Sequence, residues 1–176
     1  IFKLTMDKKE QRQRIKGLMV NFEFKKAVNE IEQLNKAFDP APLPAKFYIY
    51  LARAYKGTGN RVGAKNILQD FRKAYPNHRK TQKVMFLLGK NFWNLGEDQK
   101  GIEQFQSLIK VNPKTYLGIK GRFYLGKVLE ANKKYESSRK QYNFLETYGD
   151  NEFRQKAAWQ LGWLDYREKK YKNTII

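Results

Sequence analysis

The sequence contains no cysteine and only one histidine. Without thiols there is no disulfide framework, no thiolate metal site and no thiol nucleophile. The lone imidazole, in the loop Pro76-Asn77-His78-Arg79, gives neither a metal-binding cluster nor a histidine-based triad. No apolar run approaches the roughly 18 residues needed to span a bilayer. The N-terminus, Ile1-Phe2-Lys3-Leu4, is neither an initiator methionine nor a signal peptide, which predicts a processed or truncated piece of a longer protein. Acidic side chains are scarce: 17 Asp and Glu stand against 36 Lys and Arg, a formal net charge of +19. That imbalance predicts attraction to nucleic acid, an acidic polymer, anionic lipid or an acidic protein surface; a solvated lysine surface with no such partner is the plain alternative.

Apolar material is abundant. Forty-one per cent of the 176 residues are hydrophobic, among them 3 Trp, 11 Tyr and 12 Phe, enough to build a core despite the charge. The organising feature is a repeat. A leucine followed by a small residue recurs at Leu51-Ala52, Leu88-Gly89, Leu125-Gly126 and Leu161-Gly162, with spacings of 37, 37 and 36 residues. Each unit places a bulky residue two positions before the leucine and, in the first three, another four after it (Tyr55, Phe92, Leu129), the spacing of one helix face. A polar or glycine turn follows. A small residue then opens a second helix at Ala27, Ala64, Gly101 and Ser138, trailed by bulky residues at helical spacing, such as Phe105 with Leu108 and Tyr142 with Leu145. Proline or glycine closes each unit at Pro40, Pro76, Pro113 and Gly149. The pattern predicts helix–turn–helix units near 8–41, 45–78, 82–115 and 119–152, with a partial unit at 155–176, all in one domain over 1–176. Glycine in an exposed helix interior costs about 1 kcal/mol, so its recurrence at Gly89, Gly126 and Gly162 argues for close helix contact there.

The series Leu88-Gly89, Phe92, Gly101, Phe105, Leu108, Pro113 resembles the tetratricopeptide repeat, lengthened by three residues from its 34-residue unit. The resemblance implies an all-α, right-handed superhelical solenoid of antiparallel helix pairs, about 4.5–5 repeats long. The Tyr75-Pro76 junction resembles periplasmic members of that family. More narrowly, FWNLGEDQKGIEQF (92–105) and AAWQLGWLDYREKKY (157–171) resemble the non-catalytic helical superhelix of soluble lytic murein transglycosylases, a likeness shared in part with periplasmic coordinator and outer-membrane assembly lipoproteins. This implies a periplasmic scaffold of a cell-wall protein.

Catalytic signatures are not assembled. Glu136-Ser137 and Gly17-Leu18-Met19-Val20 are similar to fragments of the transglycosylase catalytic domain, but they occur in the wrong order and in separate repeats, and its Ala-Tyr-Asn-Ala-Gly segment is missing. Gly57-x-Gly59 follows a helix and lacks the Gly-Lys-Ser/Thr of a phosphate loop, so it reads as an inter-helix turn. No enzyme centre and no cofactor or metal is expected in these residues.

One pattern does look like a site. Numbered from the start of each unit, place two reads Lys9, Lys46, Lys83, Lys120 and Lys156. Place five reads Arg12, Ile49, Phe86, Phe123 and Trp159. Place nine is Lys16, Arg53, Lys90, Lys127 and Trp163; place twelve is Met19, Lys56, Trp93, Glu130 and Tyr166. Spacings of three, four and three put the four places on one stripe of each first helix. The resemblance implies that first helices line the concave groove, giving a ligand surface of lysines interleaved with rings. Lysines attract carboxylates or phosphates, and rings stack on sugars, bases or peptide side chains. The rings are equally explained as wedges between neighbouring first helices.

Three partners remain open: peptidoglycan or a wall protein, an acidic peptide held by a general adaptor, and single-stranded nucleic acid, ranked last. The second helix of the last unit stops at Tyr171–Ile176, before its packing residues. This predicts that the apolar face of Trp159, Leu161, Trp163 and Tyr166 is covered by a further domain, a partner or a second copy.

Overall fold

The computed structural model describes residues 8–39 and 41–168, and among them the chain forms nine α-helices and no strand. Pro40 and the segment Tyr171–Ile176, both used in the sequence reading, lie outside the described residues. The helices are α1 (Lys8–Val20), α2 (Phe24–Phe38), α3 (Ala45–Gly57), α4 (Arg61–Ala74), α5 (Thr81–Asn94), α6 (Asp98–Val111), α7 (Tyr116–Ala131), α8 (Tyr135–Tyr148) and α9 (Asn151–Arg167). The chain gathers into two compact units that divide between Val84 and Met85, inside α5.

In the first unit α2 packs on α1 and α3, and α4 packs on α3. The second helices are amphipathic for a simple reason: α2 buries Ala27, Ile31 and Leu34, and α4 buries Ala64, Leu68 and Phe71, the same places 37 residues on. Asn60 caps α4 by accepting a 2.8 Å hydrogen bond from the Gly63 amide. Between α1 and α2 the Arg14 guanidinium meets Glu30 at 2.7 Å, and between α2 and α3 the Tyr55 hydroxyl donates to Glu32 at 2.5 Å.

In the second unit the two complete pairs share one geometry. A Cβ placed on Gly89 of α5 would lie 2.7 Å from the Phe105 ring of α6, and one on Gly126 of α7 would lie 2.5 Å from the Tyr142 ring of α8. Both distances are too short for any real side chain, so each glycine is required by the ring that faces it. Phe105 and Tyr142 are fully buried. The small residue four places before each ring completes the contact. Gly101 lies against the Gly89 carbonyl, and the Ser138 hydroxyl donates to the Gly126 carbonyl at 2.9 Å. Charged groups close the far end. The Tyr142 hydroxyl donates to buried Glu130 at 3.2 Å, and Arg139 of α8 bridges Asp165 at 2.7 Å and Glu168 at 2.6 Å.

The turns carry the repeat as well. Phe22, Gly59, Gly96 and Lys133 stand 37 residues apart, and all four have positive φ, at 59°, 80°, 74° and 59°. Glycine adopts this left-handed conformation freely, whereas phenylalanine and lysine are strained by it. Lys133→Gly should therefore raise stability by about 1 kcal/mol and Gly96→Ala lower it by about 1 kcal/mol, read as opposite shifts in the urea midpoint at constant slope. A second expectation concerns alkaline pH. Burial, and then the hydrogen bond and charge of Glu32, push the Tyr55 hydroxyl up to about 12 from its usual 10.0. Between those values the unfolded phenol has lost its proton while the folded one keeps it, so stability falls as pH rises through that window and is unaffected below it. Tyr55→Phe should make the alkaline decline shallower in urea unfolding followed from neutral to strongly basic pH.

Candidate functional site

The stripe of places two, five, nine and twelve divides between the two units. In the first, Lys46 holds its ammonium 5.4 Å over the Tyr50 ring, while Arg53 and Lys83 are exposed. Ile49, at place five, is buried in the core. The Lys80 ammonium is held below its usual pKa, chiefly by burial and then by the positive charges of Lys46, Arg79 and Lys83.

In the second unit the stripe is sorted by what packs on it. Phe86 is 6% exposed and belongs to the core with Phe105, its ring 6.1 Å from that neighbour. This corrects the expectation that Phe86 faces a ligand: the next first helix covers it, through Tyr124 at 5.3 Å. Phe123 is half-buried as a wedge, 6.1 Å from Tyr142 and 5.8 Å from Phe153 of α9. Trp93 is likewise half-buried, 6.3 Å from Tyr124. The stripe rings of this unit that do face out are all on α9: Trp159 at 73%, Tyr166 at 55% and Trp163 at 44% exposure. Trp163 and Tyr166 stack with centroids 5.5 Å apart and, with Trp159, Ala158 and Gly162, line a shallow opening of about 400 Å³.

The lysines of this unit are held in place, mostly by groups other than carboxylates. Lys90 of α5 donates to the Tyr124 hydroxyl at 3.1 Å and lies 4.5 Å over that ring. Lys120 donates to the Tyr116 hydroxyl at 3.1 Å and sits 5.5 Å over Phe86. Lys127 donates to the Gln160 amide oxygen of α9 at 3.1 Å. Of these four stripe lysines only Lys156 is paired with an acid, Glu152, one turn earlier on α9; that hydrogen bond raises its pKa. Ring, phenol and amide contacts hold an ammonium without cancelling its charge, so Lys90, Lys120 and Lys127 remain net cations aimed by their neighbours.

Three stripe residues converge. Phe123 of α7 and Lys156 and Trp159 of α9 line one cleft of about 300 Å³, together with Glu152, Gln155 and Gln160. Lys127 joins its rim through Gln160. The cleft offers a flat ring, two amides, an apolar floor and two ammoniums against one carboxylate, an arrangement suited to a flexible ligand carrying negative charge. Sequence reasoning missed Gln155 and Gln160, which carry no signal beyond lying one turn from Trp159 and from Lys156 respectively. It also missed Tyr116 and Tyr124 as holders of the lysines. Among the described residues there is no group of three or more metal-ligating side chains, and no helix long and apolar enough to cross a membrane.

The tetratricopeptide repeat family model matches residues 48–78 and 83–115. No curated protein matches the sequence. Solved structures do. The chain superposes on a crystal structure of MamA with a TM-score of 0.77 at 17% identity, covering 97% of this chain and 90% of that one. MamA 41-end from Desulfovibrio magneticus RS-1 gives 0.79 at 12% identity, covering 94% and 88%. A Podosopora anserina protein described as a kinesin light chain with nearly identical TPR-like repeats gives 0.76 at 14% identity, covering 94% and 89%. Residues 48–78 and 83–115 thus match tetratricopeptide repeats, and the chain has the all-α fold of TPR-like solenoid proteins.

Burial sorts the stripe into core and surface. Phe86→Ala should cost about 3–5 kcal/mol, whereas Trp159→Ala should stay within about 0.5 kcal/mol, compared by urea unfolding of the two variants.

Proposed function

We propose that the chain is a non-catalytic protein-interaction scaffold whose α7/α9 cleft grips an acidic, extended segment of a partner protein. The observation that carries this reading is the convergence of Phe123, Lys156 and Trp159 on one opening, with Lys127 at its rim. The repeat family and the fold support a scaffold, and the net charge of +19 supports an acidic partner. A partner carboxylate displaces Glu152 from Lys156 and meets Lys127, while an apolar partner side chain rests on Phe123 and Trp159. The exposed Trp163–Tyr166 surface on the same helix extends the apolar contact.

A peptidoglycan strand is the second reading. What favours it is the flat, 73% exposed ring of Trp159 beside the amides of Gln155 and Gln160, a set that also stacks and hydrogen-bonds a sugar. A periplasmic location goes with that reading and rests on the resemblance of residues 92–105 and 157–171 alone.

Isothermal titration with a glutamate-rich peptide, and separately with soluble wall fragments, decides between them. The peptide should bind, the triple change Lys120→Glu, Lys127→Glu and Lys156→Glu should weaken it by roughly a hundredfold, and Glu152→Gln should tighten it. Binding of wall fragments alone would transfer the cleft to the second reading. Unchanged peptide affinity in the triple variant would reject the cleft as the site. A single-stranded nucleic acid ligand would announce itself by a loss of about a thousandfold or more between about 50 and 200 mM salt.

A further inference from the structure

A second cleft, of about 320 Å³, opens in the same unit between α6 and α8. Its floor is narrow and apolar, made by Ile102, Leu125 and Leu129, each of which also belongs to the core. Its walls are polar and differ in chemistry. On the α6 side, Gln99 donates its amide to Glu103 at 3.2 Å, which leaves the Gln99 carbonyl oxygen as an acceptor. On the α8 side, the Gln141 oxygen accepts from Arg122 at 3.0 Å, which leaves the Gln141 amide hydrogens as donors. Lys134, Ser137 and Lys140 add further donors to that wall, and no carboxylate lines the cleft.

Behind Gln141 lies a cation with unspent capacity. The Arg122 guanidinium rests 3.7 Å over the Phe144 ring, and its Nε is buried with no acceptor. No carboxylate pairs with Arg122, Lys134 or Lys140 among the described residues. Burial lowers the Arg122 pKa, as it must for a cation held partly out of water without a counter-ion. The wall of α8 is therefore donor-rich and positive, the wall of α6 supplies an acceptor, and the floor is apolar. An extended peptide has the matching groups: N–H and C=O on each edge, and side chains pointing to either face.

We propose that the α6/α8 cleft is a second binding site, separate from the α7/α9 cleft, for a short acidic peptide segment. Its carboxylate sits on Lys134 and Lys140, its carbonyl accepts from Gln141, and its amide donates to Gln99. The volume is at the low end of ligand pockets, about 300–1,000 Å³, which suits one or two residues of a threaded chain and excludes a folded domain. A neutral sugar uses the amides but leaves the two ammoniums unanswered.

The test is an amide chemical-shift titration of the full chain with a blocked tetrapeptide of alternating glutamate and leucine. Its glutamine-for-glutamate counterpart and a chitooligosaccharide are run alongside. Shifts are expected at 99–106 and 134–141 with the acidic peptide only. The double change Lys134→Glu and Lys140→Glu, at two exposed positions, should weaken that binding at least roughly tenfold with an unchanged thermal midpoint. Changing Lys127 and Lys156 to Glu should leave these shifts in place, which separates this site from the α7/α9 cleft whatever becomes of that one. Shifts confined to α7 and α9, equal binding of the neutral peptide, or a response to the sugar alone would each overturn the assignment.

Discussion

The helix pairs of the second unit close at a distance set by a missing side chain. Gly89 and Gly126 each receive an aromatic ring from the partner helix sixteen residues on, and neither has room for a Cβ. Dense packing makes this contact exacting on both sides, since a ring without its recess cannot approach and a recess without its ring is a void. In the first unit the equivalent buried pair is Ala52 and Leu68, a methyl added on one helix and a smaller side chain on the other. Those three pairs keep a summed volume rather than a residue type, whereas Ile15 and Ile31, buried at the same places of α1 and α2, are larger together. Gly101 and Ser138 serve the same approach from the second helix, the first by having no side chain and the second by bonding the opposite carbonyl.

The surface follows from that contact. Once the recess fixes which face of a first helix meets its own second helix, the adjoining face meets the next first helix. Place five lies there, so Phe123 becomes a wedge against Phe153 rather than a free ring. The wedge spaces α7 from α9 and forms the floor of the cleft between them. Of the lysines at places two and nine, Lys156 lines that cleft paired with Glu152 and Lys127 reaches its rim through Gln160, while phenols and ring faces hold Lys90 and Lys120. The α6/α8 cleft has the same origin on the other side of α7, with Leu125 and Leu129 as its floor. The proposed ligand surface and a packing surface are thus two faces of one helix, set by one glycine.

Much of this was legible in the sequence. The leucine-plus-small signature located the helix pairs, because close contact demands small residues at a fixed period. The lysines of places two and nine were also legible, since charge at that position has nowhere to go but the surface. The rings were not. Phe86, Phe123 and Trp159 share one column, yet they range from 6% exposed to half-buried to 73% exposed. What separates them is whether another helix packs over them, and that is a property of the neighbour rather than of the residue. Phe22 and Lys133 hid for a different reason: nothing in either side chain announces left-handed backbone, and only their 37-residue register with Gly59 and Gly96 reveals it. The α6/α8 cleft depends on the spacing of two helices that are not consecutive, which no local pattern records.

The most direct test is the proton spectrum of the two glycines. A ring stacked into the space of a missing Cβ shields the α-protons beneath it. The Hα signals of Gly89 and Gly126 should therefore lie well upfield of ordinary helical glycine and show Overhauser contacts to the rings of Phe105 and Tyr142. Unshifted signals, or contacts to any other aromatic ring in place of these, would contradict the account of how the helix pairs close.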